Sequence, residues 1–232
     1  MNTKSHFILA WAFLAFVSAP LRAGQIHYLS PNQFDIAAIV PPPPEPGSAE
    51  QAADLATVVA VHKACPSNEL AVAMSEKKFN VFTFAPAIGT FFQREKLPQV
   101  EELFHRVGKD TDEIQGAAKM YFKRLRPYVV DPSLAGSVEP EKSFSYPSAH
   151  STFATVDALL LAELFPERQA EILAFGRNIG WHRVELAKHY PTDIYAGRVL
   201  ALAIVRELKT NPAFQKDFAA AKAELAAAHA VP

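Results

Sequence analysis

Two short segments in the C-terminal half of the chain are apolar on nearly every side, and they constrain the fold more than any other feature. They cover residues 153–165 and 194–205. A helix that is apolar all round is normally buried on all sides. A helix needs roughly 20 consecutive apolar residues to span a bilayer. Each segment is shorter than that and is interrupted by charged residues such as Asp157 or Arg198. We therefore expect both segments to be central helices of a packed core.

The remaining sequence predicts an all-α, single-domain helical bundle. After Ser48, which is a good N-cap with Glu50 close behind, nearly every segment has helical spacing, and runs of alternating strand-like residues are absent. Further helices are predicted at residues 49–64, 68–77, 98–107, 110–126, 167–188 and 213–230.

The first residues have the features of an export signal. Lys4 lies in a short polar start, an apolar stretch follows, and Ala23 is a suitable cleavage residue. We assign residues 1–23 as a signal peptide, which predicts a periplasmic or secreted protein with no membrane span in the mature chain. The alternative is that the same segment stays uncleaved as an anchor. Cys65 is the single cysteine, so no internal disulfide can form even in an oxidising compartment.

A proline-rich stretch follows the predicted signal. Residues 41–44 are all proline, which removes backbone donors and favours an extended conformation. We predict an extended arm at residues 24–48 that lies on a helical domain formed by residues 49–232.

The charge balance excludes a nucleic-acid-binding role. Removal of Lys4 and Arg22 with the signal leaves 21 basic residues against 24 acidic ones, so the net charge moves from −1 to −3. A nucleic-acid-binding domain would be expected to carry a basic stripe, whereas the cations here are spread among acidic residues.

The first of three chemically notable blocks is Lys119-(six residues)-Arg126-Pro127. A spacing of seven is about two helical turns, so both cations are predicted on one face of a helix that Pro127 ends. Such a pair is also typical of an ordinary solvated surface.

The second block is Pro147-Ser148-Ala149-His150, which opens directly into the first apolar segment. A helix N-terminus there would direct free N–H groups and the Ser148 hydroxyl toward an anion. An ordinary serine N-cap has the same pattern.

The third block is Arg183-(five residues)-His189-(three residues)-Asp193. A carboxylate bonded to one imidazole nitrogen fixes the tautomer and leaves the other nitrogen free to attack. A histidine and an aspartate at this spacing are also common as a structural pair.

Taken together, the blocks resemble the tripartite pattern of the phosphatidic acid phosphatase type 2 and vanadium haloperoxidase superfamily. That pattern is Lys-(six)-Arg-Pro, then Pro-Ser-Gly-His, then Ser-Arg-(five)-His-(three)-Asp, and nine of its eleven positions match here in order. The resemblance covers residues 119–193, and the predicted export and proline run are similar to the soluble bacterial class A acid phosphatases of that superfamily.

The resemblance implies a metal-independent phosphomonoesterase that acts on a small phosphorylated substrate without a cofactor, with vanadate binding as a phosphate mimic. His189 would attack phosphorus and form a phosphohistidine, His150 would protonate the leaving oxygen and then activate water, and Asp193 would orient His189. The implied phosphate-binding residues are Lys119, Arg126, Ser148, Ala149 and Arg183. The oligomeric state stays open between a monomer and a homo-oligomer.

Two positions depart from the family pattern. Ala149 stands where the family has glycine, which keeps the backbone N–H but adds a methyl group and disfavours positive φ. His182 stands where the family has serine, and it is kept as a candidate site residue without an assigned role. These departures affect the expected substrate size and efficiency more than the reaction class.

Three other functions remain open at this point: a lipid phosphate or diphosphate phosphatase at the periplasmic membrane face, a vanadium-dependent haloperoxidase, and a non-catalytic phosphate-binding protein. A metal hydrolase is disfavoured, because no His-Glu-x-x-His arrangement or carboxylate cluster completes a ligand set in the sequence.

Overall fold

Helices account for the regular structure of the computed structural model, which describes residues 27–137 and 139–229 and contains no strand in those ranges. The predicted signal peptide lies outside the described residues. The longer helices are α1 (Ala49–Ala64), α2 (Ser67–Ser75), α3 (Pro98–Phe122), α4 (Ala149–Leu164), α5 (Gln169–Glu185), α6 (Pro191–Thr210) and α7 (Pro212–His229). Short helical turns lie at Pro31–Gln33, Ile36–Ile39, Glu76–Lys78, Val81–Phe84, Ala85–Ile88, Arg94–Lys96, Pro127–Val130, Pro132–Ser137 and Pro166–Arg168.

The two apolar segments form the centre of the bundle, as predicted. They lie in α4 and α6, and α4 packs most extensively against α5 and α6. Close approach depends on small residues at the crossings: a Cβ on Gly176 would lie 2.8 Å from the Ala154 carbonyl oxygen, and one on Gly197 would lie 2.8 Å from that of Ser148. Helix α3 packs on α4 and α7, while α1 and α2 cover α5.

The first residues of α4 and α6 are tied together. Ser148 caps α4, because its Oγ accepts the Ser151 N–H at 3.4 Å, and its own N–H donates to the Asp193 carbonyl oxygen at 3.0 Å. Ser151 Oγ donates to the Ile194 carbonyl oxygen at 2.8 Å. The second and third sequence blocks therefore meet at one end of the bundle.

The helix predicted at 98–107 and that predicted at 110–126 are one helix, α3. Gly108 does not interrupt it, because the helix is amphipathic across this point and buries Val107 and Ile114 on the same core. Packing of this face outweighs the cost of about 1 kcal/mol for a glycine within a helix.

The prediction that Lys119 and Arg126 share one helical face is wrong. Helix α3 ends at Phe122, and Lys123 adopts a left-handed conformation with φ 52°. Pro127 begins a short helical turn instead of ending a helix, and Arg126 occupies its N-cap. Lys119 and Arg126 consequently reach the site from two different directions.

The segment predicted as an arm lies on the helical body over its described part. Tyr28, Leu29, Phe34 and Val40 are buried, and the Tyr28 N–H donates to Asp110 Oδ2 at 2.7 Å. Two short helical turns precede the prolines, so this arm is less extended than expected. Among the described helices, none is both long and apolar enough to serve as a membrane span.

Candidate active site

His189 and Asp193 form the predicted imidazole–carboxylate pair. His189 Nδ1 lies 3.1 Å from Asp193 Oδ2, which also accepts the Tyr190 N–H at 3.0 Å. Pro191 starts α6 between them, so Asp193 occupies the first turn and directs its carboxylate back toward residues 189 and 190. Because Asp193 accepts the proton on Nδ1, the lone pair of the ring is on Nε2.

The Arg126 guanidinium lies next to His189 Nε2. Its Nη1 lies 3.2 Å from His189 Nε2 and donates to the Lys188 carbonyl oxygen at 3.0 Å, while Nε donates to the Ser143 carbonyl oxygen at 2.8 Å. Burial and the charges of Arg126 and Lys119 hold the pKa of His189 well below its usual range. The imidazole is therefore neutral at physiological pH, as a nucleophile must be.

Arg126, Arg183 and Lys188 form a cation cluster around one carboxylate, that of Glu141. Arg126 Nη2 lies 2.7 Å from Oε2 of Glu141, and Arg183 Nη2 and Lys188 Nζ lie 3.1 and 2.9 Å from Oε1. Burial opposes the ionisation of Glu141, but the charge of Arg126 and the Lys188 hydrogen bond overcome it and lower its pKa to about 2. An anion with two oxygens thus sits among three cations beside the His189 ring.

Lys119 is buried behind this cluster. Its ammonium group donates to the Phe144 and Ser145 carbonyl oxygens at 2.5 and 3.3 Å. Burial and the charge of Arg126 lower the pKa of Lys119 to about 7. These hydrogen bonds fix the segment that follows Glu141 to helix α3.

His150 lies in the first turn of α4, close enough for the charges of Arg183 and Glu141 to affect it. Burial, followed by the charge of Arg183, lowers the pKa of His150 from the ordinary value of about 6.5 to about 3. The ring is hydrogen-bonded with the Glu76 backbone, and its Nε2 has no partner among the described residues.

The two departures from the family pattern have clear outcomes. Ala149 begins α4 without positive φ, so its methyl group brings no backbone strain. His182 pairs through Nδ1 with Glu76 Oε2 at 2.7 Å, and hydrogen bonding with that carboxylate raises its pKa. The His182 side chain therefore pairs with Glu76 and not with the residues around His189.

Three charged residues of the candidate site were not predicted from the sequence. Glu141 and Lys188 form ion pairs within and around the cation cluster. Arg124 forms ion pairs with two buried carboxylates: its Nη1 lies 2.7 Å from Asp193 Oδ1, and its Nη2 lies 2.7 Å from Asp54 Oδ2. The available signal is that they are charged and lie next to or between the three blocks. Nothing in the sequence distinguishes them from Lys123 or Lys142, which are both exposed.

Comparison with known proteins identifies a family over the part of the chain that contains the three blocks. The family model for the PAP2 superfamily matches residues 111–215, a range that includes every block. A non-specific acid phosphatase of Providencia stuartii is 30% identical over 216 residues, which cover 87% of this chain and 85% of that protein. An acid phosphatase of Zymomonas mobilis is 31% identical, over 79% of this chain and 73% of that protein.

The fold has a counterpart among solved structures. A transmembrane PAP2-type phosphatidylglycerolphosphate phosphatase from Bacillus subtilis aligns with a TM-score of 0.50 and 21% identity, over 75% of this chain and 89% of that one. The Providencia stuartii acid phosphatase is aligned over most of both sequences. The chain therefore belongs to the PAP2 superfamily and is a phosphatase related to the bacterial non-specific acid phosphatases.

Proposed function

We propose that the protein is an exported acid phosphatase that hydrolyses phosphate monoesters without a metal, through a phosphohistidine at His189. The observation that carries this proposal is the position of the Glu141 carboxylate, which bridges the cation cluster beside the neutral His189 ring. A phosphoryl group likewise presents negatively charged oxygens that accept hydrogen bonds from these donors. We assign the Glu141 carboxylate as the stand-in for a substrate phosphoryl group.

The proposed chemistry has two steps. The His189 Nε2 lone pair forms a bond to phosphorus as the bond from phosphorus to the ester oxygen breaks, and His150 gives a proton to that oxygen. Water then attacks phosphorus and gives a proton to His150, while the phosphorus–nitrogen bond breaks and returns its electron pair to Nε2. Asp193 stabilises the positive charge that the ring acquires, and the cation cluster stabilises the phosphoryl oxygens.

Glu141 must leave the cation cluster before a phosphoryl group can enter. Its side chain is 30% exposed, so solvent and ligands can reach it. Replacement of Glu141 by glutamine keeps the shape but removes the competing charge. We expect the inhibition constant of inorganic phosphate to fall roughly tenfold, which corresponds to about 1.4 kcal/mol.

Glu139→Gln is the matched control, because Glu139 lies two residues away and pairs with Lys77 on the surface. Its phosphate inhibition should equal that of the wild type. Without phosphate, the Glu141→Gln protein should unfold at a lower temperature than the wild type, because the three cations of the cluster then repel one another. Added phosphate should raise the unfolding temperature back to that of the wild type. Equal phosphate inhibition in the wild type and Glu141→Gln would contradict the stand-in assignment.

The pKa of about 3 for His150 leads to a pH prediction. Above that pH the free ring is neutral and its one N–H is bonded to the Glu76 backbone, so Nε2 carries no proton. The proton for the ester oxygen must therefore arrive with the substrate monoanion and pass to His150 Nε2 in the complex. A phosphate monoester loses its second proton at a pKa of about 6. We expect kcat/KM to fall above about pH 6, because the dianion leaves the site one proton short.

The measurement is kcat/KM from pH 4 to 9 for an aryl and an alkyl phosphate. The alkaline limb should move to higher pH for the alkyl ester, whose phosphate is less acidic. A kcat/KM that is still rising at pH 8, or a limb that is the same for both esters, would refute the assignment of the proton to the substrate.

Hydrolysis of p-nitrophenyl phosphate by the purified protein in excess chelator tests the proposed function itself. Chelation matters because Cys65, Glu69 and Glu185 lie together in the described part of the chain and could bind a metal, although none belongs to this site. Turnover that persists, with a phosphoryl label on the protein that survives alkali but not acid, is expected. Loss of turnover on chelation, or a label that is never found, would contradict the mechanism.

A further inference from the structure

Helix α4 carries two buried polar groups that have no partner in the described structure. His150 Nε2 makes no hydrogen bond among the described residues. Asp157 is a residue only 7% exposed, and burial alone accounts for the shifted pKa of its carboxyl group, with no contribution from a hydrogen bond or a charged neighbour. Buried polar groups in proteins are nearly always paired, so each unpaired one requires an explanation. Both residues line the same cavity, which points to a ligand that would satisfy them.

Phenylalanine rings form the apolar part of the cavity wall, and charged side chains line much of the rest. Its volume is about 460 Å³, and its lining includes Phe79, Phe82, Phe104 and Phe153. The Phe79 ring lies 5.6 Å from the His150 ring and 6.5 Å from that of Phe153, measured between centroids. Such walls favour a flat aromatic body, which can pack against the edges and faces of the phenylalanine rings.

The spacing of the two unpaired groups gives the length of the ligand. His150 and Asp157 are seven residues apart on one helix, which places them on the same face at a separation of about 10 Å along the axis. His150 lies at the end of the cavity nearer the phosphate site, because the charges of Arg183 and Glu141 shift its pKa. Asp157 marks the far end.

We propose that this cavity holds the leaving group of the substrate, and that Asp157 selects aromatic alcohols with a hydrogen-bonding group about 10 Å from the ester oxygen. This inference rests on the proposed function, since it places the ester oxygen at His150. The phosphoryl group lies in the cation cluster, the aromatic body fills the cavity, and the distal polar group bonds to Asp157.

Asp157 suits this task because its carboxyl group is neutral. Burial raises its pKa to about 8, so at acid and neutral pH the group carries a proton. A protonated carboxyl group both donates and accepts hydrogen bonds. A ligand hydroxyl can therefore be bound without the cost of burying a charge.

The test compares two substrates that differ only at the far end. Biphenyl-4-yl phosphate has no distal polar group, whereas 4′-hydroxybiphenyl-4-yl phosphate places a hydroxyl about 10 Å from the ester oxygen, the separation of the two residues on α4. In the wild type we expect kcat/KM to favour the hydroxylated ester roughly tenfold, the value of one buried hydrogen bond.

Two variants assign that preference to Asp157. Asp157→Asn keeps a group that donates and accepts and should retain most of the ratio, whereas Asp157→Leu should reduce it to about one, because the hydrogen bond is gone. The ratio of two substrates cancels any general loss of activity or of folded protein. A ratio near one in the wild type, or an unchanged ratio in Asp157→Leu, would overturn the proposal.

Binding of the free alcohols separates this inference from the proposed function. Calorimetry should show that 4,4′-dihydroxybiphenyl binds more tightly than 4-hydroxybiphenyl, with the difference lost in Asp157→Leu. This preference without any turnover would support the cavity as a ligand site while contradicting the phosphatase mechanism. Equal binding of both alcohols, or a preference for a long alkyl phosphate that Asp157→Leu does not change, would refute the role of Asp157.

Discussion

Replacement of His189 by alanine is expected to reduce the hydrolysis of p-nitrophenyl phosphate by about three orders of magnitude or more, as for the loss of other covalent nucleophiles. The reason is specific to the site. The Nε2 atom of His189 is the nitrogen that Asp193 leaves with a lone pair, and it lies within 3.2 Å of Arg126, where the cation cluster meets the ring. The measurement is steady-state turnover together with trapping of the labelled protein.

A second variant separates chemistry from folding. His189→Asn retains an amide N–H that can donate to Asp193, so it should keep the local structure and the binding of inorganic phosphate while losing turnover. His182→Ala is the matched control, because His182 is also paired with a carboxylate but contacts Glu76 and not Asp193. His189→Ala activity above a few per cent of the wild type would contradict the assignment of the nucleophile.

Replacement of Arg124 by leucine is expected to destabilise the protein by about 3 to 5 kcal/mol, the usual effect of removing one partner of a buried ion pair. Arg124 stands between two carboxylates, Asp54 and Asp193, whose side chains are 4% and 0% exposed. Its guanidinium also lies 3.8 Å from the centre of the Tyr190 ring. Without it, two buried carboxylates lose their counter-charge at once.

Thermal unfolding measures this effect. The midpoint should fall by roughly 6 to 20 °C, since 1 kcal/mol corresponds to about 2 to 4 °C for a domain of this size. Arg124→Lys should give an intermediate fall, because one ammonium group cannot bridge both carboxylates as a guanidinium does. Arg206→Leu removes an arginine from an exposed pair with Glu207 and should leave the midpoint unchanged. A fall of less than about 2 °C in Arg124→Leu would show that Arg124 is not the required counter-charge.

The fold class could be predicted because apolar spacing is a local property. The segments at 153–165 and 194–205 are apolar all round, and they are the helices α4 and α6 at the centre of the bundle. Boundaries depended on more than spacing. The packing of Val107 and Ile114 carries α3 through Gly108, and the left-handed Lys123 ends it before Arg126.

The sequence by itself determined which chemical groups the site contains. The three blocks supply cations, two imidazoles and a carboxylate, and the residues between Arg183 and Asp193 bring His189 and Asp193 into contact by local geometry alone. Short-range order of this kind depends on the spacing of four residues and on the proline that starts α6, so it can be read from the chain.

Only the tertiary structure decided which other charges join them. Glu141 lies 42 residues from Arg183 and 47 from Lys188, and Arg124 lies 70 residues from Asp54 and 69 from Asp193. Ion pairs of this kind form because helix packing brings distant segments together and burial makes an unpaired charge costly. The cavity next to Asp157 also depends on tertiary structure, since its walls come from segments that meet only in the folded chain.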